Sequence, residues 1–133
     1  MAVASKRNLV RAAAKARLGA VATYSNFKVG AALLTDGGTI ISGANVESAS
    51  YGLTCCAERV ALFTALTAGH KNFEAIAIVA AAPRGPMPCG ACRQLLAEYA
   101  PNAQVWIADS RHLATIRSFT VKKLLPGAFL AVP

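Results

Sequence analysis

The sequence predicts an α/β fold, a mixed sheet with helices packed against it, and three observations carry that expectation. Apolar segments follow the order helix, strand, strand, helix, strand, helix, strand, which is the pattern of a layered sheet and not of a helical bundle or an all-β sandwich. An Asp36-Gly37-Gly38 turn joins two short apolar runs, and Phe73 to Ala81 is almost continuously apolar. At 133 residues the chain has the size of one ordinary domain, so residues 1–133 are expected to form a single unit.

The first element reads as a helix from about Ser5 to Leu18. Leu9, Val10, Ala13, Ala14 and Leu18 form one apolar face, Ser5 stands at the N-cap position, and Gly19 ends it. Lys28 to Thr35 and Thr39 to Gly43 flank the Asp-Gly turn, whose glycine supplies the positive φ that a tight hairpin demands. A polar loop, Asn45 to Thr54, leads to a second helix from about Cys56 to Ala68, followed by Gly69. Its side chains leave little room for a polar face, so it is expected to be buried. Phe73 to Ala81 has the composition of a strand covered on both faces. A third helix is expected from Cys89 to Tyr99, stopped by Pro101, then a strand over Gln104 to Ala108. Thr115 to Phe119 reads as an edge strand and Val121 to Leu125 as a helical turn.

Composition removes several classes of function. With 55% hydrophobic and 15% charged residues, the chain is not intrinsically disordered. That much apolar surface is more than one small monomer can hide, which points to a homo-oligomer. The longest apolar run, Ala75 to Ala82, is far short of the ~20 residues a bilayer requires, so no membrane partner is expected. Met1 to Arg7 has no apolar core ahead of a cleavage site, so the cytoplasm is the expected compartment. The net charge of +8 comes from scattered lysines and arginines, which reads as a solvated basic surface without a nucleic-acid partner.

All four cysteines fall in two clusters, Cys55-Cys56 and Cys89-Gly-Ala-Cys92. The second is a C-x-x-C motif at a helix start, where unpaired backbone N–H groups stabilise thiolates. Adjacent residues on a helix point about 100° apart, and few metal sites take both. Cys56, Cys89 and Cys92 therefore read as three thiolates around a zinc ion with a vacant fourth position, the arrangement of a catalytic site. A closed structural clip using all four cysteines is the competing arrangement, and Cys55 is otherwise a small buried hydrophobe. Glu58 lies in the first turn beside the metal. Three thiolates acidify a bound water less than three neutral histidines would, and a carboxylate that accepts its proton compensates. Arg59 and Arg93 follow the two clusters closely, and hydrogen bonds from one or both to the sulfurs would offset the excess negative charge.

Cys56-Ala-Glu-Arg59 followed by Pro88-Cys-Gly-Ala-Cys-Arg-Gln94 resembles the signature of the zinc-dependent cytidine deaminases of free nucleosides. The resemblance extends to Tyr24-Ser-Asn-Phe-Lys-Val-Gly-Ala-Ala-Leu-Leu34, Gly43-Ala-Asn-Val-Glu47 and Leu124-Leu-Pro-Gly-Ala-Phe129, in the family's order. It implies a three-layer α/β/α sandwich with a central mixed sheet of about five strands, and a homotetramer of the short-chain type. It also implies one Zn2+ per subunit on Cys56, Cys89 and Cys92, with Glu58 as proton shuttle. Phe27 would lie against the pyrimidine ring, Asn45 and Glu47 would grip the ribose 3′-hydroxyl, and Ala57 would also bind the substrate. Tyr51 and Phe129 would help to build a site shared between subunits. The activity so implied is hydrolytic deamination of cytidine and 2′-deoxycytidine in pyrimidine salvage. Asp109 to Arg117 departs from the family's pattern, lacking the glycine turn common between the last strands.

Rival readings stay open in the sequence. A deaminase of a nucleoside antibiotic such as blasticidin S shares the cysteines, although Phe27 and Asn45-Val-Glu47 favour plain nucleosides. Polynucleotide-editing deaminases usually carry histidine where Cys56 stands. A basic RNA-binding module with a structural zinc would need a fourth protein ligand, most plausibly Cys55.

Overall fold

A computed structural model describes residues 3–131. Five strands form one mixed sheet: β1 (Val29–Thr35), β2 (Ile40–Ala44), β3 (Phe73–Ala80), β4 (Gln104–Asp109) and β5 (Arg117–Thr120), in the order β2-β1-β3-β4-β5. The β3–β4 pair is parallel and the others are antiparallel. The helices are α1 (Val3–Ala16), α2 (Ala57–Thr67), α3 (Gly90–Tyr99) and the single turn α4 (Val121–Leu124). Among the described residues, no helix is long and apolar enough to cross a membrane.

The period-two alternation of the strands sorts the core into two halves. Ala32, Leu34, Ala75, Ala77, Val79, Trp106 and Ala108 face α1, meeting Leu9, Val10 and Ala13. Ala31, Leu33, Ile76, Ile78, Val105 and Ile107 face the other way, onto Ala57, Ala61, Leu62 and Ala65 of α2, Leu96 of α3, and Val121 and Leu124 of α4. The result is a three-layer α/β/α sandwich. Small side chains on the α1 side allow close approach of that helix.

The β1–β2 hairpin closes with Thr35 N–H donating to Thr39 C=O at 2.9 Å, and the positive φ of its turn falls at Gly38. Gly43 of β2 lies under α2: a Cβ there would stand 2.5 Å from Ala61 N and 2.9 Å from Ala57 O. A bare backbone at that point sets the height of the first turn of α2 above the sheet. Gly69, at φ +95, follows the end of α2, where His70 N–H donates to Ala65 C=O at 3.0 Å.

Two expectations are corrected. Ser5 is not an N-cap, because α1 is already helical at Val3; a serine inside a first turn costs little. The second helix is not buried all round: Phe63, Thr64 and Thr67 are exposed, because α2 packs on the sheet along one stripe only. The segment without a glycine turn is built on Asp109 instead. Its Oδ1 accepts from Arg111 N–H at 3.0 Å and its C=O from His112 N–H at 2.9 Å, an Asx-type reversal in place of glycine.

Candidate active site

Two helix N-termini converge on one point, and a cysteine caps each. Cys56 is the N-cap of α2, and Cys89 that of α3, its sulfur accepting from Cys92 N–H at 3.5 Å. Cys56 Sγ lies 3.8 Å from Cys89 Sγ, and Cys89 Sγ lies 3.5 Å from Cys92 Sγ. All three sulfurs are within 4.8 Å of one another. A tetrahedral zinc with ~2.3 Å bonds separates its sulfurs by about 3.8 Å, so this donor set fits that ion. Cys55 is outside the cluster, half-buried, with its backbone paired to Val46; burial pushes its thiol up.

The electrostatics favour a thiolate on Cys56, while a hydrogen bond with Cys56 and then burial push the Cys92 thiol up. The Cys56 thiol falls to about 5, first through hydrogen bonding with Cys92 and then through the Arg59 guanidinium, against an opposing effect of burial. Arg59 donates to Cys56 Sγ and to Thr54 C=O, both at 3.4 Å, while its buried Nε has no partner. Arg93 does not reach a sulfur. It donates to Pro88 C=O at 2.8 Å and Leu124 C=O at 3.0 Å, tying the segment before Cys89 to α4.

Glu58 is 5% exposed, and burial raises its carboxyl to about 7 from the ordinary 4.5. Its side chain lines a cleft of about 200 Å3 together with Cys56, Cys89, Phe27, Asn45, Glu47 and Ala57. Val29, Thr54, Ile78, Pro86 and Met87 complete the wall. Seven residues singled out by the sequence are thus brought together around one cavity.

Asn45 and Glu47 also do work that spacing did not reveal. Asn45 Oδ1 accepts from Val29 N–H, and its Nδ2 donates to Phe27 C=O, both at 2.9 Å. Glu47 Oε1 accepts from the N–H groups of Tyr24 and Ser25 at 2.9 Å, and Oε2 from the Ser25 hydroxyl. The pair therefore holds the segment that carries Phe27. Tyr51, 83% exposed in a short 3-10 turn, and Phe129, 65% exposed, do not line the cleft of their own subunit. Pro86 and Met87 were not singled out from the sequence. Their proximity to Cys89 in a Pro-rich loop was the available signal.

A buried carboxylate beside three clustered thiols at two helix N-termini, on an α/β/α sandwich, defines a metal-site hydrolytic centre. Residues 3–108 match the cytidine and deoxycytidylate deaminase zinc-binding region, and the chain belongs to that family. It is 50% identical to a cytidine deaminase of Halalkalibacterium halodurans, over 95% of each chain. It is 46% identical to a cytidine deaminase of Sporosarcina psychrophila, over 91% of this chain and 88% of the relative. A crystal structure of cytidine deaminase from Burkholderia pseudomallei superimposes with a TM-score of 0.89 at 46% identity, covering 97% of this chain and all 100% of the other.

Proposed function

We propose that this chain hydrolyses the exocyclic amine of cytidine and 2′-deoxycytidine, giving uridine or 2′-deoxyuridine and ammonia. The observation that carries the reading is the buried Glu58 carboxyl facing the same cleft as Cys56 and Cys89. The relatives named cytidine deaminase support the choice of substrate. Zinc on Cys56, Cys89 and Cys92 would supply an acidified water and a Lewis acid for the oxygen that adds to C4.

The residues of the chain do the rest. Glu58 takes a proton from the attacking water and delivers it to N3 of the ring. It then carries the second proton to the 4-amino group, which leaves as ammonia. A carboxyl that titrates near 7 can both accept and release that proton at neutral pH. Phe27 and Ala57 enclose the pyrimidine. After their backbone contacts, Asn45 keeps one N–H and Glu47 keeps lone-pair capacity on Oε2, a donor and an acceptor for the ribose 3′-hydroxyl. Free cytosine leaves both unpaired and is rejected.

We place the protein in the cytoplasm, in pyrimidine salvage, as a homotetramer of one-domain subunits spanning residues 1–133. The exposure of Tyr51, Phe63 and Phe129 supports burial of these faces against other copies. The deciding assay uses zinc-loaded protein with cytidine, 2′-deoxycytidine and cytosine, with and without a chelator, followed by absorbance. Turnover of the two nucleosides alone, lost on chelation, is expected. Absence of nucleoside turnover by the zinc-loaded protein overturns the reading.

A further inference from the structure

β3 and β4 form the parallel pair of the sheet, and the loops at their carboxyl ends rise side by side. In open α/β sheets, ligands bind in the crevice outside such ends. The loop after β3, residues 81–89, lends Pro86 and Met87 to the active cleft. It also borders a second cavity of about 390 Å3, lined by Arg84 of this loop and by Asp109, His112, Thr115 and Arg117 of the chain leaving β4. The deamination chemistry makes no use of it.

We propose that this second cavity binds a phosphate monoester with an organic body. Arg84 brings its guanidinium to the wall, Arg117 the N–H groups left over from its bonds to Arg84 C=O and Met87 Sδ, and His112 lines the same space. Asp109 is the carboxylate among these lining residues. Arg111 neutralises it with two parallel hydrogen bonds, Nε to Oδ1 at 2.9 Å and an amino nitrogen to Oδ2 at 3.0 Å. Among the described residues that is the one side-chain ion pair, so Arg84 and Arg117 have no carboxylate partner. Planar guanidinium forks of this kind recognise phosphate in preference to a simple point charge. The cavity also falls in the ~300–1,000 Å3 range of small-molecule sites, which leaves room for more than a bare anion.

The backbone supports the same assignment. Arg84 adopts φ +65, a left-handed conformation uncommon for a residue with a Cβ. Such residues cluster at ligand clamps. Gly85, at φ +84, seats the loop on β4, where a Cβ would stand 2.5 Å from Ile107 Cγ2. Arg117 then locks the loop: its Nε donates to Arg84 C=O at 2.8 Å and a terminal nitrogen meets Met87 Sδ at 3.5 Å. A ligand that engages Arg117 is therefore felt at Met87, in the wall of the active cleft.

The chain has two methionines, Met1 and Met87, so a 13C-methyl methionine spectrum reports on the site directly. The zinc-loaded protein is titrated with ribose 5-phosphate, inorganic phosphate and ribose, none of which carries a pyrimidine. A saturable shift of the Met87 methyl signal is expected with ribose 5-phosphate, a weaker response with inorganic phosphate, and none with ribose. Arg84→Gly, which accommodates the positive φ and keeps the fold, and Arg117→Lys, which keeps the charge but not the fork, should each weaken binding about tenfold. No shift with ribose 5-phosphate, or undiminished affinity in Arg84→Gly, overturns the proposal. So does equal affinity for ribose 5-phosphate and inorganic phosphate, which would leave the organic body without a role. Binding is read without turnover, so this result is independent of the deaminase assay.

Discussion

Glu58 occupies a position where a charged side chain is costly, in the first turn of a helix and almost wholly shielded from water. Its carboxyl is raised to about 7 for that reason, and the same burial that penalises the anion readies it to hold a proton. Glu58→Gln should keep its zinc stoichiometry, since the sulfurs are untouched, yet lose at least ~10²–10⁴-fold in kcat. Metal analysis and steady-state rates on one preparation check both halves. A variant retaining full activity would remove Glu58 from the chemistry. Glu47 is the opposite case, held below the usual carboxylate range first by the Ser25 hydroxyl. A depressed pKa contributes stability above the ordinary 4.5 that is lost as pH falls through the lowered value. Glu47→Gln should therefore unfold at lower urea than the parent at pH 7, with the gap closing as the pH is taken below the ordinary 4.5 and through the lowered value. A gap of constant size across that range would mean that the ionised carboxylate is not what holds Tyr24 to Phe27.

At the scale of elements, the site depends on how close α2 comes to β2, and Gly43 sets that distance. Gly43→Ala would drive a methyl group into the backbone of Ala57 and Ala61. A cost of about 1–3 kcal/mol is expected from such overpacking. The lift also displaces Cys56 and Glu58, so kcat should drop even at temperatures where the variant is fully folded; calorimetry and rate measurement separate the two effects. What the sequence made legible at this scale followed from local signals. Gly69 ends α2 and the Asp-Gly turn closes the hairpin through backbone geometry that only neighbouring residues set. The three-sulfur cluster was legible because C-x-x-C and a second helix start carry their own spacing. What escaped was set by contacts distant in sequence. Arg93 finds carbonyl oxygens at Pro88 and Leu124 and not sulfur, because α4 folds back beside α3. Asn45 and Glu47 are two apart and line the cleft as alternation predicts, but their bonds to residues 24–29 needed the tertiary fold. The exposed stripe of α2 carries Thr64 and Thr67 three residues apart, but Phe63 stands on the same stripe and masked it as a polar face.

The whole molecule exposes aromatic side chains that its own cleft does not use. Phe129 is 65% exposed and its carbonyl is held by Gln94 at 2.7 Å, so the backbone of the C-terminal segment is fixed while the ring is left uncovered. In a closed assembly of identical subunits, each such ring meets the same surface on a neighbour. If Phe129 completes a neighbour's cleft, two crippled chains must be able to rescue each other. One carries Glu58→Gln with Phe129 intact; the other carries Phe129→Ala with Glu58 intact. In randomly mixed assemblies with equal amounts of both, about a quarter of the clefts combine an intact Glu58 with an intact neighbouring Phe129. Activity after mixing, unfolding and reassembly should then rise clearly above the average of the two parents. If Phe129 served its own subunit, every cleft would lack one group or the other, and mixing would return only that average. Light scattering on the mixed sample should give four times the mass of one chain if the proposed tetramer re-forms, and co-purification of an untagged chain with a tagged partner shows that the subunits have exchanged.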